Sequence, residues 1–338
     1  MYVKWFLRGR FYFRPSDRDG RRVKAGELTM EMDLILQEIP RWYFLILAGV
    51  FGALWGSFAN VVIIRVPREE SVLRPASHCM TCHERVRFYD NIPIFSYLIL
   101  RGRCRSCRTR FSPKYMVIEL SMALLSVGVM QMTLLNDPPS FLAGLSAYFV
   151  RFAFIWALLT AGVIDLDTFL LPDVITLPGI AVGIIANTFL FETGWIDPVT
   201  SAMGSYAGLS LLFVHGYKRL TGRQGMGEGD PKLLAMIGAF LMLKGALFAL
   251  FAAALQGLVV GTILVIVRRK RGGPTPPVLD GEPEDGLQDT DATPFRLAKV
   301  PFGPFLALGA IEYFFFGEVL VRAYTGFVSM LVLGVDIT

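Results

Sequence analysis

Apolar stretches close to the length needed to cross a bilayer recur along this chain, and they constrain its fold more than any other feature. A helix needs roughly 20 predominantly apolar residues to span the hydrocarbon core, and its backbone polar groups must be satisfied within the segment. The sequence predicts eight such spans, at residues 42–64, 116–135, 141–164, 174–191, 199–215, 233–243, 246–267 and 300–316. The sixth is short, and its boundary with the seventh falls at Leu243, Lys244 and Gly245. A last apolar run, 319–335, contains Arg322 and reads either as a further span or as a surface segment, the second of which keeps the count even. Composition agrees: 54% of residues are hydrophobic and 18% charged, with a mean hydropathy of +0.51, whereas soluble domains carry about 25% charged residues.

Lys and Arg orient the spans. Residues 65–114 hold eleven of them, 268–299 six, and the loop around Lys218 three, whereas 136–139 and 192–198 hold none. Under the positive-inside rule the three basic loops are cytoplasmic, and eight spans then alternate without contradiction. Because the basic residues cluster between apolar stretches rather than along one face, the formal net charge of +5 does not point to nucleic acid. Residues 1–29 carry eight Lys or Arg on the side this topology makes external. Two readings stay open: they weaken the orientation, or translation begins at Met30 or Met32. No secretory signal is expected, since Met1–Leu7 lacks an apolar h-region. The stretch 272–293, rich in Pro, Gly, Asp and Glu, reads as a solvated linker, and no internal repeat is visible.

All four cysteines fall in the most basic loop, as Cys79-Met80-Thr81-Cys82 and Cys104-Arg105-Ser106-Cys107. Two C-x-x-C turns aim four thiolates at one point, which suits tetrahedral structural zinc. A reducing cytoplasm disfavours two disulfides, and a redox C-x-x-C would need a βαβ context that is missing. His78 and His83 flank the first pair and are read as polar neighbours rather than ligands. Four protein ligands leave no open position for a catalytic water, so this metal organises the loop and the chemistry lies elsewhere. The expected fold is an all-α polytopic membrane protein of about eight transmembrane helices, with a zinc-binding cytoplasmic loop between helices 1 and 2. Its parts are an N-terminal extension (1–41), helix 1 (42–64), the loop (65–115), a transmembrane core (116–316) with a cytoplasmic linker (268–299), and a C-terminal segment (317–338).

Carboxylates near a bilayer are costly and become functional candidates at helix ends facing a bundle interior. The third span ends in Ile164-Asp165-Leu166-Asp167, and the sixth follows Gly225-Met226-Gly227-Glu228-Gly229-Asp230-Pro231-Lys232. The topology puts Asp165 and Asp230 at the same boundary. Two carboxylates brought close share a proton, the ionised one activating water and the neutral one polarising a carbonyl, which is aspartic peptide hydrolysis. Helix capping or ion coupling are the other readings of these two residues. Asp173, after Pro172, reads as a helix-start residue; Asp167 and Glu228 read as solvated. Gly225, Gly227 and Gly229 permit close approach of a substrate strand, with Lys232 beside them, and Pro231 suits a helix start. The same glycines resemble part of a nucleotide or S-adenosylmethionine fingerprint, but that motif must follow a strand in a βαβ unit, and helices flank it here.

At these residues the sequence resembles the type IV prepilin peptidase family, the leader peptidases and N-methyltransferases of pilus and type II secretion systems. The matching motifs are Gly56-Ser57-Phe58-Ala59-Asn60-Val61-Val62 with Arg65 and Pro67, both cysteine pairs, Asn91-Ile92-Pro93, Leu100-Arg101-Gly102-Arg103-Cys104-Arg105, the stretch from Ile164 to Asp173, that from Gly225 to Lys232, and Pro301-Phe302-Gly303-Pro304-Phe305. They occur in order over residues 51–305. The resemblance implies that Asp165 and Asp230 are catalytic and that Cys79, Cys82, Cys104 and Cys107 form the zinc loop. Met80-Thr81, where the family often has a proline, and Pro231, where it usually has an apolar residue, put loop shape in doubt rather than activity. The implied substrate is a prepilin or pseudopilin with a basic leader, cut after glycine at the cytoplasmic face of the inner membrane.

In the bifunctional members the new amine is then methylated from S-adenosylmethionine. An α-amine with a pKa near 7.7 is already partly neutral, so orientation against the methyl donor supplies much of the rate. The candidate neighbourhood for that donor is 91–107, including Gly102. Membrane lipid and the pilus or secretion assembly machinery are the other implied partners. A presenilin-like intramembrane protease shares the Gly-x-Gly-Asp helix start but gives the cysteine loop no role; a non-enzymatic, ion-coupled membrane protein is the remaining alternative.

Overall fold

The computed structural model describes residues 38–136, 138–221, 226–270 and 301–333; Met30, Met32, Gly225 and the 272–293 linker lie outside the described residues. Among these, regular structure is helical, and extended pairing is limited to two isolated bridges, His78 with Arg85 and Arg103 with Arg110. Four helices are long and apolar enough to cross a membrane. They are α1 (Arg41–Arg65), α3 (Lys114–Thr133), α4 (Phe141–Thr168) and the greater part of α8 (Gly229–Lys270). Shorter elements are α2 (Phe95–Ile99), α5 (Asp173–Phe189), α6 (Ile196–Leu209) and α7 (Tyr217–Thr221), and α9 (Gly303–Leu333) closes the chain. Large apolar side chains stand outward along them, Phe251 at 71% exposure for one, which a lipid solvent tolerates and water does not.

Without a hydrophobic drive between helices in lipid, association depends on close packing of small residues. Gly52 and Gly56 meet this need between α1 and α3: a Cβ at 52 would fall 2.4 Å from the Met122 carbonyl oxygen, and one at 56 would fall 2.7 Å from Glu119 Cα. The buried centre is filled by Tyr148, Ile155 and Leu158 of α4, Leu233 and Met236 of α8, and Leu306 of α9.

The most informative element is α8. Met242 takes a non-helical conformation (φ 59°, ψ −179°) inside it, and contacts on either side place the two halves antiparallel. In the first half, Lys232 pairs with Asp173 at the start of α5, whereas Ala239 and Phe240 pack on Gly183 near that helix's end. In the second half, Gly245 faces Tyr313, Gly309 lies against Ala249 and Ala252, and Gly257 faces Phe305 close to the start of α9. Both ends of α8 therefore lie at one end of the bundle, with the reversal at Met242, next to the expected 243–245 boundary. A reversal orphans the carbonyls of the helix it terminates. Asn187 of α5, itself buried, supplies the missing donor: its Nδ2 lies 2.7 Å from the Ala239 oxygen and 3.3 Å from that of Phe240.

Two expectations are refined. The 199–215 span is composite, with α6 passing through a wide π turn (Ser210–Gly216) into α7. The His215 ring nitrogen lies 3.1 Å from the Ser210 carbonyl oxygen across that turn, as is common where a side chain enters a helix ladder. The 319–335 run is no separate segment as far as Leu333: α9 is continuous through it.

Candidate active site and metal centre

Asp165 lies in the last turn of α4. The helix ends because Phe169 adopts the left-handed conformation (φ 55°) and returns its N–H to the Asp165 carbonyl at 2.9 Å. The side chain is 6% exposed and accepts the N–H of Gly303, the first residue of α9, at 3.0 Å. A Cβ at 303 would stand 2.6 Å from Asp165 Oδ2, so only glycine permits this approach. Asp230 is the second residue of α8, 7% exposed, and receives a backbone hydrogen bond from Gly227. Asp230 lies close enough to Asp165 to feel its charge. Leu171 covers both approaches, since a Cβ at Gly229 would meet its Cβ at 2.7 Å and one at Gly303 would meet its Cδ1 at 3.2 Å.

The other acidic residues of these two sequence stretches do not join the pair. Asp167 is ion-paired with Lys114 at the start of α3. Asp173 opens α5, as its helix-start reading implies, and both its oxygens receive Lys232 Nζ, at 2.7 and 2.8 Å. Glu228 is exposed. Of the glycines and lysine flanking Asp230 in the sequence, Gly227 and Gly229 touch the acidic pair or its cover, Lys232 is committed to Asp173, and Gly225 lies outside the described residues. Burial of two neighbouring carboxylates disfavours ionisation of both at once.

The cysteine loop lies at the same end of the bundle, because Lys114, which follows it, contacts Asp167 just beyond Asp165. Its two knuckles are copies of one turn, a repeat that the residues between the cysteines conceal. Cys79 and Cys104 each donate their N–H five residues ahead, to Glu84 and Thr109, and each accepts one four residues ahead, from His83 and Arg108. Those last two residues are both left-handed, at φ 57° and 62°. The four Sγ atoms lie within 4.8 Å of one another, with Cys79 to Cys107 at 3.8 Å and Cys82 to Cys104 at 4.0 Å. A tetrahedron with Zn–S bonds of about 2.3 Å has edges of about 3.8 Å, whereas a disulfide needs about 2.05 Å. The donor set and its spacing fit zinc. Hydrogen bonding by Thr109 lowers the Cys107 thiol to about 6; despite a hydrogen bond from the Glu84 backbone, burial and the other thiols push Cys82 up to about 12. Four thiolates in this space need a cation. His78 and His83 stack on each other, with ring centroids 6.1 Å apart, outside the sulfur cluster.

Gly102 occupies a tight turn (φ 64°), where a Cβ would fall 2.7 Å from the Tyr97 hydroxyl. The cavity beside the knuckles, lined by Arg87, Asp90, Leu100 and Arg105 among others, measures about 50 Å³. That space holds a water or two and does not fit S-adenosylmethionine. Asp90 instead takes the Arg105 guanidinium bidentately, with Nε to Oδ2 at 2.8 Å, and this hydrogen bonding holds its carboxyl below the ordinary range.

Three further residues have clear structural work here, and of these only Gly303 stands in a stretch that the sequence resemblance picks out, 301–305. Glu119 of α3 accepts the Ile94 N–H at 2.7 Å and hydrogen-bonds with the Ser57 and Asn60 side chains, fastening the loop to α1 and α3. Gly303 fixes Asp165, and Asn187 closes the Met242 reversal. A glutamate inside a predicted span, an unusual intramembrane acid, was the available signal for Glu119 and the 301–305 motif for Gly303; nothing local marks Asn187.

Two family models match the chain: Bacterial Peptidase A24 N-terminal domain over residues 50–133, and Type IV leader peptidase family over residues 152–262. Among curated proteins it is similar to a prepilin leader peptidase/N-methyltransferase of Pseudomonas putida, 37% identical over 289 residues that cover 79% of this chain and 88% of the relative. The protein of that name from Neisseria gonorrhoeae is 34% identical, covering 66% and 82%, and that from Myxococcus xanthus 29%, covering 86% and 96%. No solved structure matches.

Proposed function

The chain belongs to the type IV leader peptidase family, and from that premise we propose that it is an aspartic endopeptidase of the inner membrane in which Asp165 and Asp230 cleave the basic leader from type IV prepilins or pseudopilins after glycine. The observation that carries this reading is the convergence of two buried carboxylates from separate helix ends, each held by a glycine N–H, at one end of the bundle. The ionised member takes a proton from water, and the hydroxide adds to the scissile carbonyl carbon as the protonated member gives its proton to the carbonyl oxygen. Collapse of the gem-diol breaks the C–N bond, with a proton passing from the pair to the leaving amine. Gly227 leaves room for an extended substrate strand beside Asp230, whereas Gly229 admits the Leu171 side chain. Leu171 keeps bulk water from the pair, which strengthens both hydrogen bonding and charge effects there.

Eight transmembrane passes are part of the same reading. Contacts run α4 toward the acidic pair, α5 away, the first half of α8 away, the second half back and α9 away. With the basic loops on the cytoplasmic side, the pair and the cysteine loop face the cytoplasm together. Cys79, Cys82, Cys104 and Cys107 would hold zinc, which supplies a structural crosslink for the loop.

N-methylation of the new amine with S-adenosylmethionine is the second proposed activity and rests on the names of the relatives; no step of it is assigned to Gly102 or its neighbours. The test incubates purified protein with a prepilin bearing a Gly-Phe junction, with and without S-adenosylmethionine, and weighs the products. Loss of the leader in both arms, with a methyl increment in one, is expected. An intact prepilin would overturn the peptidase reading, and cleavage without the increment would remove only the second activity.

A further inference from the structure

The cysteine loop packs against the sides of the helices that carry it as well as against their ends. Where Ile94 donates its N–H to Glu119, the loop reaches below the ends of the helices that carry it, and two helices give the same depth. Glu119 lies five residues beyond Lys114, the first residue of α3, and its partner Asn60 lies five residues before Arg65, the last of α1. At 1.5 Å per residue each spacing corresponds to about 7.5 Å, within the roughly 5–10 Å to which interfacial helices sink at the headgroup and acyl-chain boundary. Here the chain forms α2, preceded by Ile94 at φ 65°.

The orientation of α2 is fixed by its polar atoms. The Ser96 hydroxyl donates to the Tyr89 carbonyl at 3.0 Å and accepts the Ile92 N–H at 3.0 Å, holding this face against the loop, where Ser96 is buried. Around this anchored serine Ile92, Phe95, Leu98 and Ile99 are all exposed, Phe95 at 65% and Ile99 at 75%. Exposed Arg101 and Arg103 follow at once. At the level of Glu119, α3 itself exposes Val117, Leu120 and Leu124, so apolar surface is present on both elements at one depth. An apolar face with adjacent arginines at that depth matches the acyl boundary and phosphate layer of a phospholipid leaflet.

We propose that residues 92–99 form an interfacial insertion, with Ile92, Phe95, Leu98 and Ile99 seated in the leaflet on the loop's side of the membrane and Arg101 and Arg103 at its phosphates. The insertion fixes the height of the metal centre against the membrane from outside the helical bundle, and it does not depend on the catalytic reading.

Full-length protein carrying the photoreactive residue p-benzoylphenylalanine at Phe95, Ile99 or, as an exposed apolar control on the first knuckle, Met80 is reconstituted in bilayer nanodiscs of phosphatidylethanolamine and phosphatidylglycerol. After irradiation, peptide masses are read, and bound zinc is measured in each variant to verify an intact loop. Phospholipid adducts at 95 and 99, with none above background at 80, are expected. With zinc retained, absence of lipid adducts at 95 and 99, or equal yields at all three positions, would overturn the proposal. So would crosslinking of 95 and 99 to added prepilin in place of lipid, which would make this face a protein-binding surface.

Discussion

Replacing Gly303 by alanine tests how closely Asp165 is positioned. The residue is not at positive φ, so alanine meets no backbone penalty there. The added methyl nevertheless stands 2.6 Å from Asp165 Oδ2 and 3.2 Å from both Asp165 Cγ and Leu171 Cδ1. Ordinary contact begins near 3.4 Å, so the carboxylate must shift by roughly 0.8 Å or turn away from the Gly303 N–H. A displacement near 1 Å at a reacting group costs on the order of 100-fold in rate. Gly303→Ala should therefore lower kcat for prepilin cleavage about 10- to 100-fold, leave KM within about twofold, and keep both zinc content and thermal midpoint at the wild-type level. A displaced base should also alter the pH profile, which a purely structural defect would leave in place. A folded variant with kcat within twofold of wild type would refute the claim that the start of α9 positions Asp165.

Asn187→Leu leaves the Ala239 and Phe240 carbonyls without their donor, at about 1–3 kcal/mol for a stranded buried group; a lowered thermal midpoint in detergent checks this. Cys104→Ser should reduce zinc from one per chain to none in metal analysis and raise hydrogen exchange across 76–111, while the acidic pair, on other helices, stays folded. Lys232→Ala removes a half-exposed ion pair and should change the midpoint by no more than about 1 kcal/mol equivalent; a larger loss would mean that the Asp173 contact matters beyond α5 and α8. Because Arg105 holds the Asp90 carboxyl below its ordinary range, the pair supports the loop fully above the unfolded carboxylate pKa and loses that support as pH falls through the lowered value. Asp90→Asn should thus raise loop exchange at neutral pH and make little difference in strong acid.

Much of the architecture was legible because lipid leaves few choices. The stretch 42–64 became Arg41–Arg65, and 141–164 became the body of Phe141–Thr168, since apolar length alone sets a span. The cysteines were legible because C-x-x-C geometry is local, and Asp165 and Asp230 because acids are rare at helix ends near a bilayer. What escaped were the long-range contacts. The reversal at Met242 was expected near Gly245, but its closure by Asn187 spans 52 residues, and the Gly303 bond to Asp165 spans 138. The knuckle repeat was hidden because it is carried by backbone bonds and by left-handed residues as unlike as His83 and Arg108, rather than by side chains. The widened turn at Ser210–Gly216 left no period for an apolar pattern to reveal.

The central claim is that Asp165 and Asp230 together cut the substrate. Its most direct test is single-turnover cleavage of a purified prepilin by Asp165→Asn and Asp230→Asn, followed by product mass, with zinc content and thermal midpoint verifying each fold. Each asparagine keeps the side chain's shape but removes the shared proton chemistry, so the account predicts no released leader from either folded variant on the time scale of wild-type turnover. Release at the wild-type rate by either one would contradict it.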